Sequence, residues 1–395
     1  MFSNRLPPHA ETNRLTRTIA SLRAAGVPLV DLTESNPTMV GFAYPGDLFD
    51  ELSADHVRLY NPQPLGLAAA REAVAADYAR RGARVDPNRV VLSASSSEAY
   101  SWLFKLLCNP GDAVLVPQPS YPLFEHLTRL ESVHAVPYHL SYHGRWDIDF
   151  DSVNDAPANV RALLLVSPNN PTGSYVTRDE AQRLAEICRS RGWAIVADEV
   201  FADYPLDGRE APTESVMDLD VVSFTLGGAS KSLGLPQVKL GWVVVGGRQT
   251  ERERALAALE IIADTFLSVG TSVQGAASSL LVMGEVVRQQ IRQRIASNLA
   301  CARDIWRENP SCTLLPVEGG WSLVARVPAF RSEEELTVEL LEREHVLVHP
   351  GYFFDFPHEA YIVVSLIPPV DQFADAFSRA LRFASSTSSL SEHRG

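Results

Sequence analysis

The stretch Phe224–Trp242, FTLGGASKSLGLPQVKLGW, opens on an apolar run and then sets Lys231 among glycines, small hydroxyl residues and leucines. The run to which it belongs, VVSFTL at 221–226, is continuous rather than alternating, the pattern of a strand buried on both faces. A lysine just past the end of such a strand stands where open α/β sheets bind ligands, beyond the carboxyl ends of their strands. Partial burial and a nearby cation, for which Lys239 is a candidate, would depress the pKa of its amine and make it nucleophilic. Pairing with an acid on a neighbouring strand would make it a structural bridge instead.

The same continuous pattern recurs on either side, at VVL (90–92), AVLVP (113–117), ALLLVS (162–167), WAIVAD (193–198) and WVVVGG (242–247). Amphipathic stretches lie between these runs. In TRDEAQRLAEICRSRG, Thr177 and Glu180 form a capping box, and Ala181, Leu184, Ala185 and Cys188 make one apolar stripe. Strand and helix in alternation predict an α/β fold: a large domain with a mostly parallel sheet covered by helices, plus a smaller α/β domain. A chain of 395 residues exceeds the roughly 250 to 300 at which single cores stop growing, which fits that division. The expected layout is an irregular, Pro-rich N-terminal arm over 1–50 that packs with the small domain, a large domain over 51–295 and a small domain over 296–395. The last begins with a long helix, has strands near WSLVARV, VLVH and YIVVSLI and a closing helix from Asp371, and ends in a fraying tail, ASSTSSLSEHRG.

Composition narrows the function. A net charge of -13 with scattered basic residues disfavours nucleic acid and anionic membrane, and no apolar run approaches the ~20 residues of a membrane span. The N-terminal segment lacks the apolar core of a secretory signal. The four cysteines, Cys108, Cys188, Cys301 and Cys312, show no CxxC spacing, so free thiols in a reducing cytoplasm are expected, with no metal site. Small-molecule chemistry is the remaining class.

The strand ends carry a distinctive set of polar residues. After VVL comes SASSSEAYSWLF, small hydroxyl residues opening a helix whose free N–H groups and dipole suit a phosphate. After ALLLVS comes PNNPTG with Asn169 and Asn170, and after WAIVA comes Asp198, a carboxylate costly to bury without a cation or donor. A phosphate cradle, a buried carboxylate, an asparagine and a nucleophilic lysine together describe a pocket for pyridoxal phosphate.

At this point the chain resembles the fold-type I pyridoxal phosphate enzymes, specifically the class I/II aminotransferase family, from about Asp31 to about Phe383. SPNNPTG, VADEVFADY and SKSLGLPQVKLGW follow one another in the family's order, with LYNPQPLGLAAAREAVAADY and NPGDAVLVPQPSYPLFE upstream. The resemblance implies that Lys231 is the Schiff-base lysine and Asp198 the partner of the pyridine nitrogen. Asn170 would meet the ring 3-hydroxyl and Tyr121 the ring face, while Ser96, Ser97 and Ser230 would hold the phosphate. Tyr60 would reach the phosphate of the neighbouring subunit, implying a homodimer with shared active sites. The implied reaction is transfer of an amino group between an amino acid or amine and a 2-oxo acid; the alternative is a lyase, decarboxylase or oxidase reaction in the same pocket.

Three positions depart from the family pattern. Lys239 replaces an arginine that forks onto the phosphate, a point charge in place of bidentate geometry. Phe201 replaces a tyrosine that donates to the 3-hydroxyl, with Tyr204 a candidate substitute. Val363, two residues before Ser365 in YIVVSLIPP, replaces the arginine that grips the substrate α-carboxylate. Asn36, Arg326 and His349 are the candidates for substrate contact in its place.

Overall fold

The computed structural model describes residues 3–6, 13–206, 208 and 216–386; most of the tail expected to fray, 387–395, lies outside them. The strands in chain order begin with β1 (Val30–Asp31), β2 (Val90–Ser93), β3 (Ala113–Gln118), β4 (His134–Tyr142), β5 (Trp146–Ile148), β6 (Val160–Val166) and β7 (Ala194–Asp198). They continue with β8 (Ser223–Gly228), β9 (Gly241–Gly246), β10 (Thr313–Leu314), β11 (Ser322–Arg326), β12 (Val346–Leu347), β13 (His349–Pro350) and β14 (Tyr361–Ser365).

Eight strands form the main sheet in the order β2-β9-β8-β7-β6-β3-β4-β5. Its centre is parallel, β8 through β7, β6 and β3 to β4, with helix Leu123–Leu130 between β3 and β4 and helix Arg178–Arg191 between β6 and β7. Strand β9 runs antiparallel between β8 and β2, and β5 antiparallel on β4. The central strands β6 and β8 are buried almost throughout, which is why their sequences are apolar without alternation.

A second sheet, antiparallel, has the order β10-β11-β14-β13. Its register pairs Ser322 with Ser365, Val324 with Val363 and His349 with Val363. One face, with Leu323, Ala325, Ile362 and Val364, packs on the C-terminal helix Val370–Ser385 and on Ile291, Ile295 and Leu299 of helix Glu285–Arg307. The opposite face turns Val324 and Val363 toward Leu163, Leu165 and Ala197 of the main sheet, together with Phe354 and Phe356. Period-two alternation therefore aims Ser322 and Ser365 at the main sheet as well.

Two expectations about layout differ from the structure. The arm before residue 50 is not wholly irregular: Arg14–Ala24 is a helix, capped by Asn13 accepting from the Thr16 N–H at 2.7 Å, and its Leu15 packs with Val338, Leu341 and Leu347. The boundary placed at 295/296 falls inside one continuous helix, Glu285–Arg307, whose stripe of Val287, Ile291, Ile295, Leu299 and Ala302 is buried along its length.

Candidate active site

Strand β8 ends in Gly227–Gly228 and turns at once into the short helix Ala229–Ser232 that carries Lys231. The amine lies 5.1 Å from the Trp321 ring centroid and 5.7 Å from that of Phe201. It makes no hydrogen bond or ion pair with any described residue, so the bridge to Asp198 considered from sequence is not formed. Burial lowers its pKa, and the charge of Asp198 opposes that shift only in part. The backbone beneath it is fixed. The Tyr204 hydroxyl donates to the carbonyls of Lys231 at 2.7 Å and Ser232 at 3.0 Å, and the wholly buried Arg288 donates to Ser232 at 3.0 Å. Arg288 is itself neutralised by Asp77 and Asp203.

Asp198 ends β7. Its carboxylate accepts from the Val200 N–H at 3.1 Å and from the Tyr100 hydroxyl at 3.2 Å, with no cation paired to it. Burial raises its pKa to about 6. A desolvated carboxylate held by two neutral donors is completed by a cationic N–H, which a protonated pyridine nitrogen offers. Tyr121 stands close enough for Asp198 to raise the pKa of its phenol, although burial contributes more.

The turn after β2 opens helix Ser96–Leu107, with Ser95 as its cap accepting from the Glu98 N–H at 3.1 Å. Ser96 and Ser97 thus occupy the first helical positions, where backbone N–H groups lack partners within the helix. Gly241 packs so tightly here that a Cβ on it would meet the Ser95 backbone at 3.0 Å. Two residues earlier, Lys239 takes a left-handed conformation, φ 59°, that most side chains avoid at a cost of roughly 1 to 2 kcal/mol. Ser230 lies next to Lys231 in the short helix after β8. These residues fit a phosphate group.

The two asparagines separate. Asn169 is buried and committed to the turn, accepting from the Ser120 hydroxyl at 3.0 Å and donating to the Pro119 carbonyl and the Thr172 hydroxyl. Asn170 instead meets the second sheet, its amide oxygen accepting from the Ser322 hydroxyl at 3.1 Å. Phe201 lies edge-on against Trp321 and offers no donor. Tyr204 does not substitute for it, because its hydroxyl is engaged by the backbone under Lys231.

On the second sheet Val363 is a core residue, 2% exposed. His349 sits beside it in register, half-buried against Phe353 and Phe354. Burial lowers its pKa, with only the more distant Asp31 acting the other way, so the ring is neutral at pH 7. Arg326 must be withdrawn from the site. It is exposed at the opposite end of β11 from Ser322, four residues or about 13 Å along the strand. Asn36 uses its amide oxygen to cap the turn Pro37–Met39, accepting from the Thr38 N–H at 3.1 Å; that turn reaches the lysine loop, since a Cβ on Gly234 would meet Pro37 at 3.3 Å. Tyr60 stands 72% exposed on a surface cleft with Trp102 and Ser268.

Sequence reasoning passed over Tyr100, Trp321 and Ser322, and gave Tyr204 another role. Tyr100 had a signal, lying one helical turn past Ser96 on the face that turns inward; the others become visible only when the second sheet is packed against the first.

Residues 47–369 match the family model described as aminotransferase class I and II. The glutamate-pyruvate aminotransferase AlaA of Haemophilus influenzae is 27% identical over 400 residues, covering 97% of this chain and 96% of that relative. Human tyrosine aminotransferase is 24% identical over 370 residues, covering 90% of this chain and 80% of its own length. Among solved structures, an alanine aminotransferase from Pyrococcus furiosus superposes with a TM-score of 0.84 at 21% identity, covering 94% of this chain and 95% of that one; at this identity the likeness is one of fold.

Proposed function

The chain belongs to the class I and II aminotransferases, enzymes dependent on pyridoxal 5′-phosphate, and we propose that its active site is built around Lys231 and recognises the substrate carboxylate without an arginine fork. The observation that carries this reading is the desolvated amine of Lys231, without a hydrogen bond or ion pair among the described residues, near the half-buried carboxylate of Asp198. When bound, the cofactor supplies an electron sink for the substrate α-carbon. The chain's residues do the rest. Asp198 would hold the proton on the pyridine nitrogen, and Ser96, Ser97, Ser230 and Lys239 would hold the phosphate. Tyr121 would cover the ring, Asn170 would meet the 3-oxygen, and the amine of Lys231 would anchor the cofactor and serve as the base at the substrate α-carbon. The large body with the eight-stranded sheet binds the cofactor, and the second sheet, with the N-terminal arm, closes the substrate side.

At the place of the carboxylate fork stands Val363, with a neutral His349 beside it. The amino donor is accordingly anchored by neutral hydrogen bonds, His349 among them, and by its side chain. We further propose a cytoplasmic homodimer. Supporting it are four unpaired cysteines and, among exposed apolar residues, Leu59, Tyr60, Ile261 and Val282, each more than 70% exposed. Among the described residues no single helix is long and apolar enough to cross a membrane.

The test is a spectral titration of the purified enzyme with a panel of amines and amino acids. Conversion of the cofactor to its amine form with release of the matching oxo acid supports transamination; release of ammonia or carbon dioxide instead would assign the site to a lyase or decarboxylase.

A further inference from the structure

Ser322 begins β11 of the second sheet and Asn170 lies in the turn that follows β6 of the main sheet, and a single side-chain hydrogen bond of 3.1 Å joins them. Ser322 begins β11, and its pairing with Ser365 keeps this end of the second sheet small enough for the Asn170 turn to approach. The Ser322 hydroxyl makes no other hydrogen bond among the described residues. Its proton therefore has one acceptor, the amide oxygen of Asn170.

That single bond decides which way the amide faces. An asparagine carries an acceptor on one side and two N–H donors on the other, and rotation by half a turn exchanges them. With the oxygen toward Ser322, the donors point away from the second sheet. After rotation, the N–H2 group would face Ser322, whose own proton would then lack a partner in a half-buried place; leaving such a donor unsatisfied is more costly than losing an average hydrogen bond. Other donors do not compensate on this turn, because position 201 is phenylalanine and Tyr204 is engaged by the carbonyls of Lys231 and Ser232.

We propose that Ser322 is a positioning residue, fixing the Asn170 amide so that its N–H2 group serves the 3-oxygen of the cofactor, and that the second sheet thereby tunes the cofactor's protonation from across the domain boundary. This rests on the cofactor assignment made above. Loss of a donor to that oxygen favours the protonated form of the lysine-bound cofactor, so the pH midpoint of its visible absorption band rises.

The experiment measures that midpoint, and the dissociation constant for pyridoxal phosphate added to the cofactor-free protein, in Ser322→Ala, Ser322→Thr, Asn170→Ala and the Ser322→Ala/Asn170→Ala double variant. Ser322→Ala is expected to raise the midpoint in the same direction as Asn170→Ala but less, and to weaken binding by about 3- to 10-fold. Ser322→Thr, which keeps the hydroxyl, restores both. In the Asn170→Ala background the loss of Ser322 adds nothing, as required of a residue acting only through its partner. A midpoint that Asn170→Ala moves and Ser322→Ala does not, or an equal effect of Ser322→Ala with and without Asn170, overturns the proposal while leaving the cofactor assignment intact. A midpoint and affinity indifferent to Asn170→Ala overturn both the proposal and the placing of Asn170 at the 3-oxygen.

Discussion

The Tyr204 hydroxyl lies 2.7 Å from the carbonyl oxygen of Lys231 and holds the short helix that carries that lysine. Both carbonyls it serves keep a second partner, Gly234 N–H for Lys231 and Arg288 for Ser232, so removing the hydroxyl leaves no acceptor wholly unpaired. Tyr204→Phe is therefore expected to lower stability by only about 1 kcal/mol. Turnover should fall further, about 10-fold in kcat with KM little changed, because small displacements of a proton-transfer group are disproportionately costly. Steady-state kinetics beside denaturant unfolding check this; a destabilised variant with unchanged kcat would reduce Tyr204 to a packing role.

Asp198 makes the cofactor-free protein pH-dependent. Its folded pKa, about 6, lies above the ordinary value of 3.8, so the folded state binds the proton more tightly than the unfolded chain does. The sign follows: stability from this group is full below about 3.8, declines as pH rises toward 6, and is lost above it, a difference of order 3 kcal/mol at most. Asp198→Asn should make the cofactor-free protein more stable than wild type by about 1 to 3 kcal/mol at pH 8, with the advantage shrinking between pH 6 and 4. Turnover with cofactor should collapse. Equal unfolding free energies at pH 8 would show that Asp198 is not desolvated as described.

The distinction between what sequence reveals and what it hides runs through these residues. Buried parallel strands such as β6 and β8 are legible because their apolar residues do not alternate with polar ones along one face, and Lys231, Asp198 and Asn170 stand out as candidates because each lies at or just past the end of such a run. Strand direction is not encoded in that pattern, and antiparallel β9 reads like its parallel neighbours. Strand β4, HAVPYHLSY, next to the edge strand β5, is polar and carries a proline, so it lacks the signal of the central strands. Helix Arg14–Ala24 had its signal, an Asn13 cap followed by Leu15, Ile19 and Leu22, but the surrounding prolines obscured it. Arg326 was misplaced because a strand's sequence does not say which end faces the ligand; only the pairing of Ser322 with Ser365 and its contact with Asn170 do.

Tyr60 is expected to act across a dimer. It is 72% exposed in its own chain, near the cleft where Ser268 donates to Glu98 of helix Ser96–Leu107 at 2.7 Å. Mixing an inactive Tyr60→Ala variant with an inactive Lys231→Ala variant should then restore part of the activity, since one hybrid site receives both native residues. Size-exclusion or mass measurement must show that subunits exchange. Exchange without any recovered activity would place Tyr60 outside the site.

Substrate recognition supplies the sharpest contrast between residues. An arginine fork contributes two charge-assisted hydrogen bonds of about 1.5 to 3 kcal/mol each, and Val363 contributes neither. Aspartate, glutamate and phenylalanine should consequently be poor amino donors compared with a substrate held through its side chain. Arg326→Ala should leave kcat/KM unchanged for every donor, because that guanidinium is exposed at the far end of β11. His349 behaves differently. Burial holds its pKa below 6.5, so at pH 7 to 9 it offers one neutral N–H and KM for a carboxylate-bearing donor should be flat as far as this residue governs it. As pH falls through the lowered pKa the ring gains a proton and a charge, which tightens its hold on a carboxylate. KM should therefore fall at acid pH in wild type relative to His349→Gln, which keeps a neutral donor but cannot titrate. Identical pH profiles for the two proteins would remove His349 from substrate binding, and loss of efficiency in Arg326→Ala would return that arginine to it.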